Sequence, residues 1–334
     1  MPASDPLAPA QAPTPSVADR LPAFWPHRAA SRWVEAGGLA WHVQVFEGQC
    51  QPRTGAAGQA AMTGILQDTR EGDASGGSDE ISARGVAGGA GGVGGEGRAF
   101  DGLPRDILLL HGAGASAHSW RDIAPALAQR LPHGARVIVP DLPGHAVTGR
   151  PPDDGLSLPG MARLLHALLQ VLQARPRVLI GHSAGAAVAA RLALDGLGGL
   201  VSPGSEGPGS VKTLISLNGA WLPPAGQGRW FYAPLARLFA LNPWVPHVFA
   251  FHASHRGPLD RLIASTGSRL DRAGIDLYAR LVSDRRHVAA VLAMMTAWDL
   301  RPLLQDLPRL APALHLVVAE GDRTVPPRTS EEAA

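Results

Sequence analysis

The stretch PRVLIGHSAGAAVAARLALDG, residues 176–196, decides the fold. An apolar run at 178–180 is typical of a strand, and an alanine-rich segment of helical spacing follows it. Between them, GHSAG at 181–185 places a glycine two residues before and two residues after a serine. At such junctions the serine takes a strained backbone conformation, and small neighbours let strand and helix approach. The pattern predicts a nucleophilic Ser183; the alternative is a tight turn with an idle serine.

Strands and helices alternate on both sides of this junction. Four further apolar runs read as strands: DILLLHG (106–112), ARVIVPDLPG (135–144), VKTLISLNGA (211–220) and ALHLVVAEGD (313–322). Segments of helical spacing separate the first three strands. This alternation predicts an α/β fold with a mostly parallel central sheet and helices on both faces.

The remaining segments divide the chain. We expect a disordered proline-rich leader (1–24), an N-terminal segment with a hairpin turned at Gly37-Gly38 (25–47), a glycine-rich flexible insertion (48–105), the core (106–220), a helical lid (221–304) and a core continuation (305–334). A phosphate-binding loop is the alternative for the glycines of the insertion. It is disfavoured because no Lys followed by Ser or Thr closes them.

Composition excludes several classes of function. The net charge of +2 is spread along the chain without a basic stripe, so nucleic acid is not expected as a partner. One cysteine, Cys50, rules out an internal disulfide and multi-cysteine metal motifs. Neither a secretory signal nor an apolar run of about 18 residues is present. We therefore expect a cytoplasmic protein without a transmembrane segment, metal site or cofactor, acting on an apolar small molecule.

HGAGAS, residues 111–116, follows the first strand after the insertion. Acyl transfer needs backbone donors aimed at the developing oxyanion, and the N–H groups of Ala113 and Ala184 are placed to supply them. The alternative is a glycine-rich turn without that role. Asp141, in PDLPGH, is expected to form a turn rather than to act in catalysis.

These motifs resemble the α/β-hydrolase fold, in order and spacing, through LLLHGAGASAHSW, VIVPDLPGHAVT, GHSAGAA and VVAEGDRTVPP. More narrowly, the chain resembles the α/β-hydrolase-like magnesium chelatase accessory proteins of bacteriochlorophyll biosynthesis. The stretches that carry this second likeness include ASRWVEAGGLAWHVQ, LNGAWLPPAG, STGSRLDRAGIDLYARLV and MMTAWDL. The resemblance implies a role near magnesium insertion into protoporphyrin, with magnesium chelatase as a partner. It also implies that the lid precedes the last strands.

In the family order of serine, acid and histidine, Asp322 is the acid, at the end of a strand and before Val325-Pro326-Pro327. A turn-forming aspartate is the alternative. All thirteen histidines precede Asp322, so the triad histidine is absent. We expect that the family's C-terminal helix, strand and histidine loop are missing through truncation. The other explanation is a pseudo-hydrolase that binds its ligand without cleaving it.

The lid is expected to select the ligand, since connections at the carboxyl ends of parallel strands build the pocket. The pocket residues predicted from the sequence are His111, Trp221, Trp230, Trp244, Met294 and Trp298. For each of the lid residues among them, packing inside the lid is the simpler interpretation. Two functions remain open: serine-hydrolase-type chemistry on an ester or related acyl bond, and non-catalytic binding of a tetrapyrrole to assist the chelatase. A dehalogenase-like reaction is disfavoured because the turn carries serine rather than aspartate.

Overall fold

A computed structural model describes residues 21–50, 106–196, 211–222 and 256–334. Their centre is a seven-stranded sheet. Its strands are β1 (Ser31–Ala36), β2 (Leu39–Glu47), β3 (Asp106–Leu110), β4 (Arg136–Pro140), β5 (Pro176–His182), β6 (Thr213–Leu217) and β7 (Ala313–Val317).

The strand order across the sheet is β1-β2-β4-β3-β5-β6-β7. The five strands from β3 onward pair in parallel, whereas β1 and β2 are antiparallel to each other and β2 is antiparallel to β4. The predicted hairpin is confirmed, because Gly37 and Gly38 turn between β1 and β2 at φ values of 59° and 77°. Positive φ at both turn residues favours glycine. The mostly parallel sheet predicted from the sequence is also confirmed.

Alternate residues of the central strands point to opposite faces of the sheet. Leu108 and Leu110 pack in the larger core cluster, whereas Ile107 and Leu109 pack in a second cluster. Three helices cover the two faces: α1 (Ile123–Ala128) over the second cluster, and α2 (Leu158–Val171) and α3 (Ala184–Asp195) over the first. Helices therefore lie on both faces, as expected when βαβ units build a parallel sheet.

The described chain between β6 and β7 contains α-helices joined by short loops. The helices are α4 (Arg256–Ser265), α5 (Arg272–Ser283), α6 (Arg285–Ala297) and α7 (Arg301–Asp306). Asp271 and Asp284 cap α5 and α6 by accepting hydrogen bonds from Gly274 N–H and Arg286 N–H, the usual reason a helix begins at such residues. These helices are the described part of the predicted lid. A short helix, α8 (Arg328–Glu331), follows β7.

The predicted leader and insertion lie mostly outside the described residues. Leu21, which the sequence analysis assigns to the leader, is instead buried with Trp25, Leu277 and Leu281. The packed structure thus includes residues before 25. The leader's earlier residues, the insertion from 51 to 105, and the lid from 223 to 255 are not described.

Both ends of the insertion lie at the amino-terminal end of the parallel strands, and Ser183 lies at the opposite end. Glu47, the last residue of β2, pairs with Arg136 at the start of β4, and β3 begins at Asp106. Ser183 instead follows the carboxyl end of β5. Cys50, just after β2, is held at this same end of the strands by a hydrogen bond of 2.8 Å from its N–H to Leu131 O.

Replacing residues 51–105 by a short Gly-Ser linker is expected to leave ligand binding unchanged, because the deletion is remote from Ser183. A shorter connection costs less closure entropy, so the free energy of unfolding should stay level or rise by about 1 kcal/mol. Urea unfolding measures stability, and a fluorescence titration with protoporphyrin, the ligand that the family resemblance implies, measures binding. Loss of porphyrin binding in a variant that still unfolds cooperatively would refute this placement.

Candidate active site

Ser183 has the strained backbone predicted for a nucleophile turn. It stands immediately before α3 with φ 52° and ψ −120°, a conformation that non-glycine residues adopt only where the surroundings hold them. A Cβ on Gly181 would lie 2.4 Å from Ala186 N, and one on Gly185 would lie 2.3 Å from Leu110 O. Strand and helix therefore approach too closely for any larger residue at either glycine.

The turn that follows β3 lies against Ser183. A Cβ on Gly112 would stand 3.1 Å from Ser183 Cβ. Ala115 N–H donates to Gly112 O at 3.2 Å and closes this turn. Ala113 is exposed within it, and Ala184 is the first residue of α3. The two backbone N–H groups predicted to form an oxyanion hole therefore belong to two neighbouring elements, both beside the serine.

Asp322 lies in the loop after β7. Its Oδ1 accepts hydrogen bonds from Thr324 N–H at 2.7 Å and from Val325 N–H at 2.9 Å. These bonds fix the carboxylate within its own turn, which is the structure that the turn-forming alternative describes. They leave the acid's catalytic role a prediction.

Asn218, after β6, braces the Asp322 loop. Its side-chain Oδ1 accepts from Ala319 N–H at 3.0 Å, and its Nδ2 donates to Val325 O at 3.4 Å. The residue is buried and has a φ of 44°. Asn218 received no role in the sequence analysis, so this bracing role was missed. The available signal was the residue type, since asparagine tolerates left-handed backbone at strand ends better than most residues.

Two buried histidines near the turn have neutral rings held by the backbone. His111 Nε2 accepts from Leu142 N–H at 2.9 Å, so its Nδ1 must be the donor to Gly112 O at 2.8 Å. His145 Nδ1 lies 3.1 Å from Pro143 O. Burial lowers the pKa of both imidazoles to about 3, with further lowering of each by a neighbouring histidine. His111, predicted to shape the pocket, therefore ties two loops together with both of its ring nitrogens.

Asp141 is a buried cross-link rather than only a turn former. Its Oδ1 accepts from Ala117 N–H at 2.6 Å, and its Oδ2 lies 2.7 Å from His42 Nδ1. His42 Nε2 in turn lies 3.0 Å from Ser31 Oγ. All three side chains in this Ser31–His42–Asp141 chain belong to buried residues. The arrangement has the spacing of a catalytic triad but no exposed serine, so it holds β1, β2 and the loop after β4 together.

His182 differs from these histidines because the residue is exposed to solvent. Its Nδ1 lies 3.1 Å from the position that a Cβ of Gly112 would take. The surrounding protein lowers the pKa of the ring by desolvation, while the charge of Asp322 acts to raise it. The ring therefore lies beside the Gly112 turn, on the surface next to Ser183, where the charge of Asp322 acts on it.

The predicted pocket residues fall into two groups. Trp221 and Met294 are buried in the main core cluster with residues of the central sheet, and Trp298 packs against it, so these three pack on the core rather than only inside the lid. Trp230 and Trp244 lie outside the described residues. In the ranges that the structure covers, no group of three or more His, Cys, Asp or Glu side chains is arranged to hold a metal ion. The same ranges contain no helix that is long and apolar enough to span a membrane.

The strained serine, the adjacent turn and the Asp322 loop lie together at the carboxyl ends of β3, β5 and β7. Comparison with known proteins identifies the family that shares these features. The sequence profile of the alpha/beta hydrolase family matches residues 107–334. This chain belongs to the alpha/beta hydrolase family. A solved alpha/beta hydrolase fold protein from Burkholderia ambifaria superposes with a TM-score of 0.58 over 91% of this chain and 86% of that chain. At 19% identity it supports the fold alone.

Among relatives, this alpha/beta hydrolase is similar to the magnesium-chelatase 30 kDa subunit of Rhodobacter capsulatus. The two are 39% identical over 229 residues, which are 68% of this chain and 74% of the relative. A haloalkane dehalogenase from Mesorhizobium japonicum is 39% identical over 87 residues, 26% of each protein. Proteins named for different functions share this fold, so the fold alone does not identify the reaction. The reaction must be inferred from the residues of the site.

Proposed function

We propose that this protein is a cytoplasmic accessory protein of magnesium chelatase in bacteriochlorophyll biosynthesis, with serine-hydrolase-type chemistry at Ser183. The accessory role is supported by the likeness to the magnesium-chelatase 30 kDa subunit. The chemistry is supported by one observation above the others, the strained Ser183 backbone between two glycines that admit no side chain. Strain of this kind persists only where surrounding structure maintains it, and it clusters at functional sites.

In the proposed reaction Ser183 Oγ attacks the carbonyl carbon of an ester or related acyl bond on an apolar substrate. The oxygen that becomes negative accepts hydrogen bonds from Ala113 N–H and Ala184 N–H, and the N-terminus of α3 adds partial positive charge. An imidazole takes the serine proton, passes it to the leaving group, and is oriented by Asp322. Water then releases the acyl group from Ser183. None of the thirteen histidines is assigned as that imidazole.

The second candidate is a non-catalytic protein that binds a tetrapyrrole and assists the chelatase. The histidine hydrogen bonds favour it. His111 uses both ring nitrogens for backbone contacts, His145 bonds a carbonyl through Nδ1, and each ring is buried and neutral. His111 therefore has no free ring nitrogen with which to take a proton from Ser183. A protein whose pocket lacks a base would keep the fold and bind the ligand but would not catalyse the reaction.

Labelling by a fluorophosphonate probe with added imidazole distinguishes the two functions. Imidazole supplies the base, so under the hydrolase proposal it should accelerate labelling at Ser183 at least about tenfold. Ser183→Ala should abolish labelling, and Ser268→Ala, an exposed serine on the lid, should not affect it. Absence of labelling together with saturable protoporphyrin binding would reject the hydrolase in favour of the binding protein. Absence of both would reject both candidates.

A further inference from the structure

His287 connects the lid to two loops of the core. It lies in the first turn of α6 and is 2% exposed. Its Nδ1 accepts a hydrogen bond from Ala146 N–H at 3.0 Å. A backbone N–H can only donate, so the ring proton is on Nε2, which donates to Gly114 O at 3.2 Å. One neutral imidazole thus bonds a donor in one loop and an acceptor in another.

Both loop residues have positive φ, which is strained for Ala146 and ordinary for Gly114. Ala146 has a φ of 47°, a left-handed conformation that is costly for a residue with a Cβ, and Gly114 has a φ of 75°. A Cβ added at Gly114 would meet no atom within 4 Å, so the glycine is not packed on that side. The Gly114 carbonyl is therefore held by the hydrogen bond from the lid rather than by close packing around its Cα.

We propose that His287 is a positioning residue: it fixes the Gly112–Ala115 turn through Gly114 O and so couples the lid to the oxyanion donor Ala113. This inference rests on the proposed function, since Ala113 is assigned as a donor there. Gly114 directly follows Ala113, so a shift of the Gly114 peptide rotates the chain that carries the Ala113 N–H. Movement of α6 on ligand entry would change the oxyanion geometry through the same bond.

A second lid contact is consistent with this coupling. Arg323 N–H donates to Thr266 O at 3.0 Å, and a Cβ on Gly267 would lie 2.1 Å from Gly321 O. The connection between α4 and α5 thus contacts the loop of Asp322 directly. The lid is attached to the proposed acid loop at this point and to the proposed oxyanion turn at His287.

Two substitutions separate the two hydrogen bonds of His287. In His287→Asn the amide oxygen can replace Nδ1 and keep the bond from Ala146, but the side chain is too short to reach Gly114 O. In His287→Gln the amide nitrogen can replace Nε2 and keep the bond to Gly114 O. Met295→Ala, on the exposed side of the same helix, is the control for changes in α6 that touch neither loop.

Hydrogen exchange of the peptide covering residues 111–118 is measured for each variant of the full 334-residue chain, together with imidazole-assisted labelling of Ser183. We expect His287→Asn to raise exchange in this peptide roughly fivefold, the loss of about one hydrogen bond, and to slow labelling by a similar factor. His287→Gln should remain close to wild type in both. Equal behaviour of the Asn and Gln variants, or unchanged exchange in the Asn variant, would overturn the proposal. If wild type does not label at all, the hydrolase chemistry fails, while the exchange comparison still decides the role of His287.

Discussion

The free energy of unfolding is expected to fall steeply as the pH drops from about 6.5 to about 5, because four buried histidines are neutral in the folded protein. Burial is the main cause in each case. It lowers the pKa of His111 and His145 to about 3, and that of His118 and His287 to about 4. The hydrogen bonds of His111 and His287 require the neutral ring, since one nitrogen of each accepts from a backbone N–H.

The direction in which pH changes the free energy of unfolding follows from proton uptake by the unfolded chain. In the unfolded chain each histidine has an ordinary pKa near 6.5 and gains a proton below that pH, whereas in the folded protein it stays neutral until about pH 4 or 3. Stability is therefore greatest above pH 6.5 and is lost as the pH falls. At pH 5 each histidine costs roughly 2 kcal/mol and the four together roughly 8 kcal/mol. That loss is comparable with the whole stability of a typical domain, about 5–15 kcal/mol.

Urea unfolding at a series of pH values measures this loss. His145→Gln removes one titrating group and should reduce the slope by about 1.4 kcal/mol per pH unit between pH 6.5 and pH 5. His133→Gln changes an exposed histidine and should leave the slope unaltered. Equal slopes in wild type and His145→Gln would show that His145 does not stay neutral on folding.

Asp141→Asn is expected to lower the free energy of unfolding by about 3 kcal/mol, because it leaves buried polar groups without their partner. Burial acts to raise the pKa of Asp141, but the interaction with His42, including its hydrogen bond, and the hydrogen bond from Ala117 N–H outweigh it and hold the pKa below its usual value. The folded protein therefore contains the carboxylate. An asparagine that accepts from Ala117 N–H through its oxygen turns its NH2 group toward His42 Nδ1, so the proton on that nitrogen loses its acceptor and the imidazole must change tautomer.

Urea unfolding at neutral pH tests this expectation, with Asp122→Asn as the matched control. The Asp122 side chain is 83% exposed and lies 3.5 Å from Arg121, so its loss should change stability by less than about 0.5 kcal/mol. A change of the same size in both variants would contradict the cross-linking role of Asp141. A loss confined to Asp141→Asn would support it.

Much of the fold follows from local sequence patterns. The Gly37-Gly38 turn, the apolar strands and the strained Ser183 turn each depend on residues close in the chain, and glycine at a few positions fixes the backbone. The helical pattern between the fourth and fifth parallel strands, together with the family resemblance, then placed the lid before the last strands, without knowledge of any contact between distant residues. The order of the strands across the sheet was not predicted.

The hydrogen bonds that connect distant segments could not be predicted. His287 and Gly114 are 173 residues apart, and Asp141 and His42 are 99 residues apart. No spacing rule relates such residues, so His287 received no role in the sequence analysis and Asp141 was assigned to a turn. Leu21 was assigned to the leader for a similar reason: its partners Leu277 and Leu281 lie at the other end of the chain.

The central claim is that Ser183 is a poised nucleophile in a chain whose nearby buried histidines are held by the backbone. Turnover of p-nitrophenyl butyrate by the 334-residue protein, with and without added imidazole, tests it most directly. We predict that wild type equals Ser183→Ala without imidazole and exceeds it at least about tenfold with imidazole. Ser183-dependent turnover without imidazole would show that a histidine of the protein acts as the base, and no such turnover with imidazole would contradict the nucleophile itself.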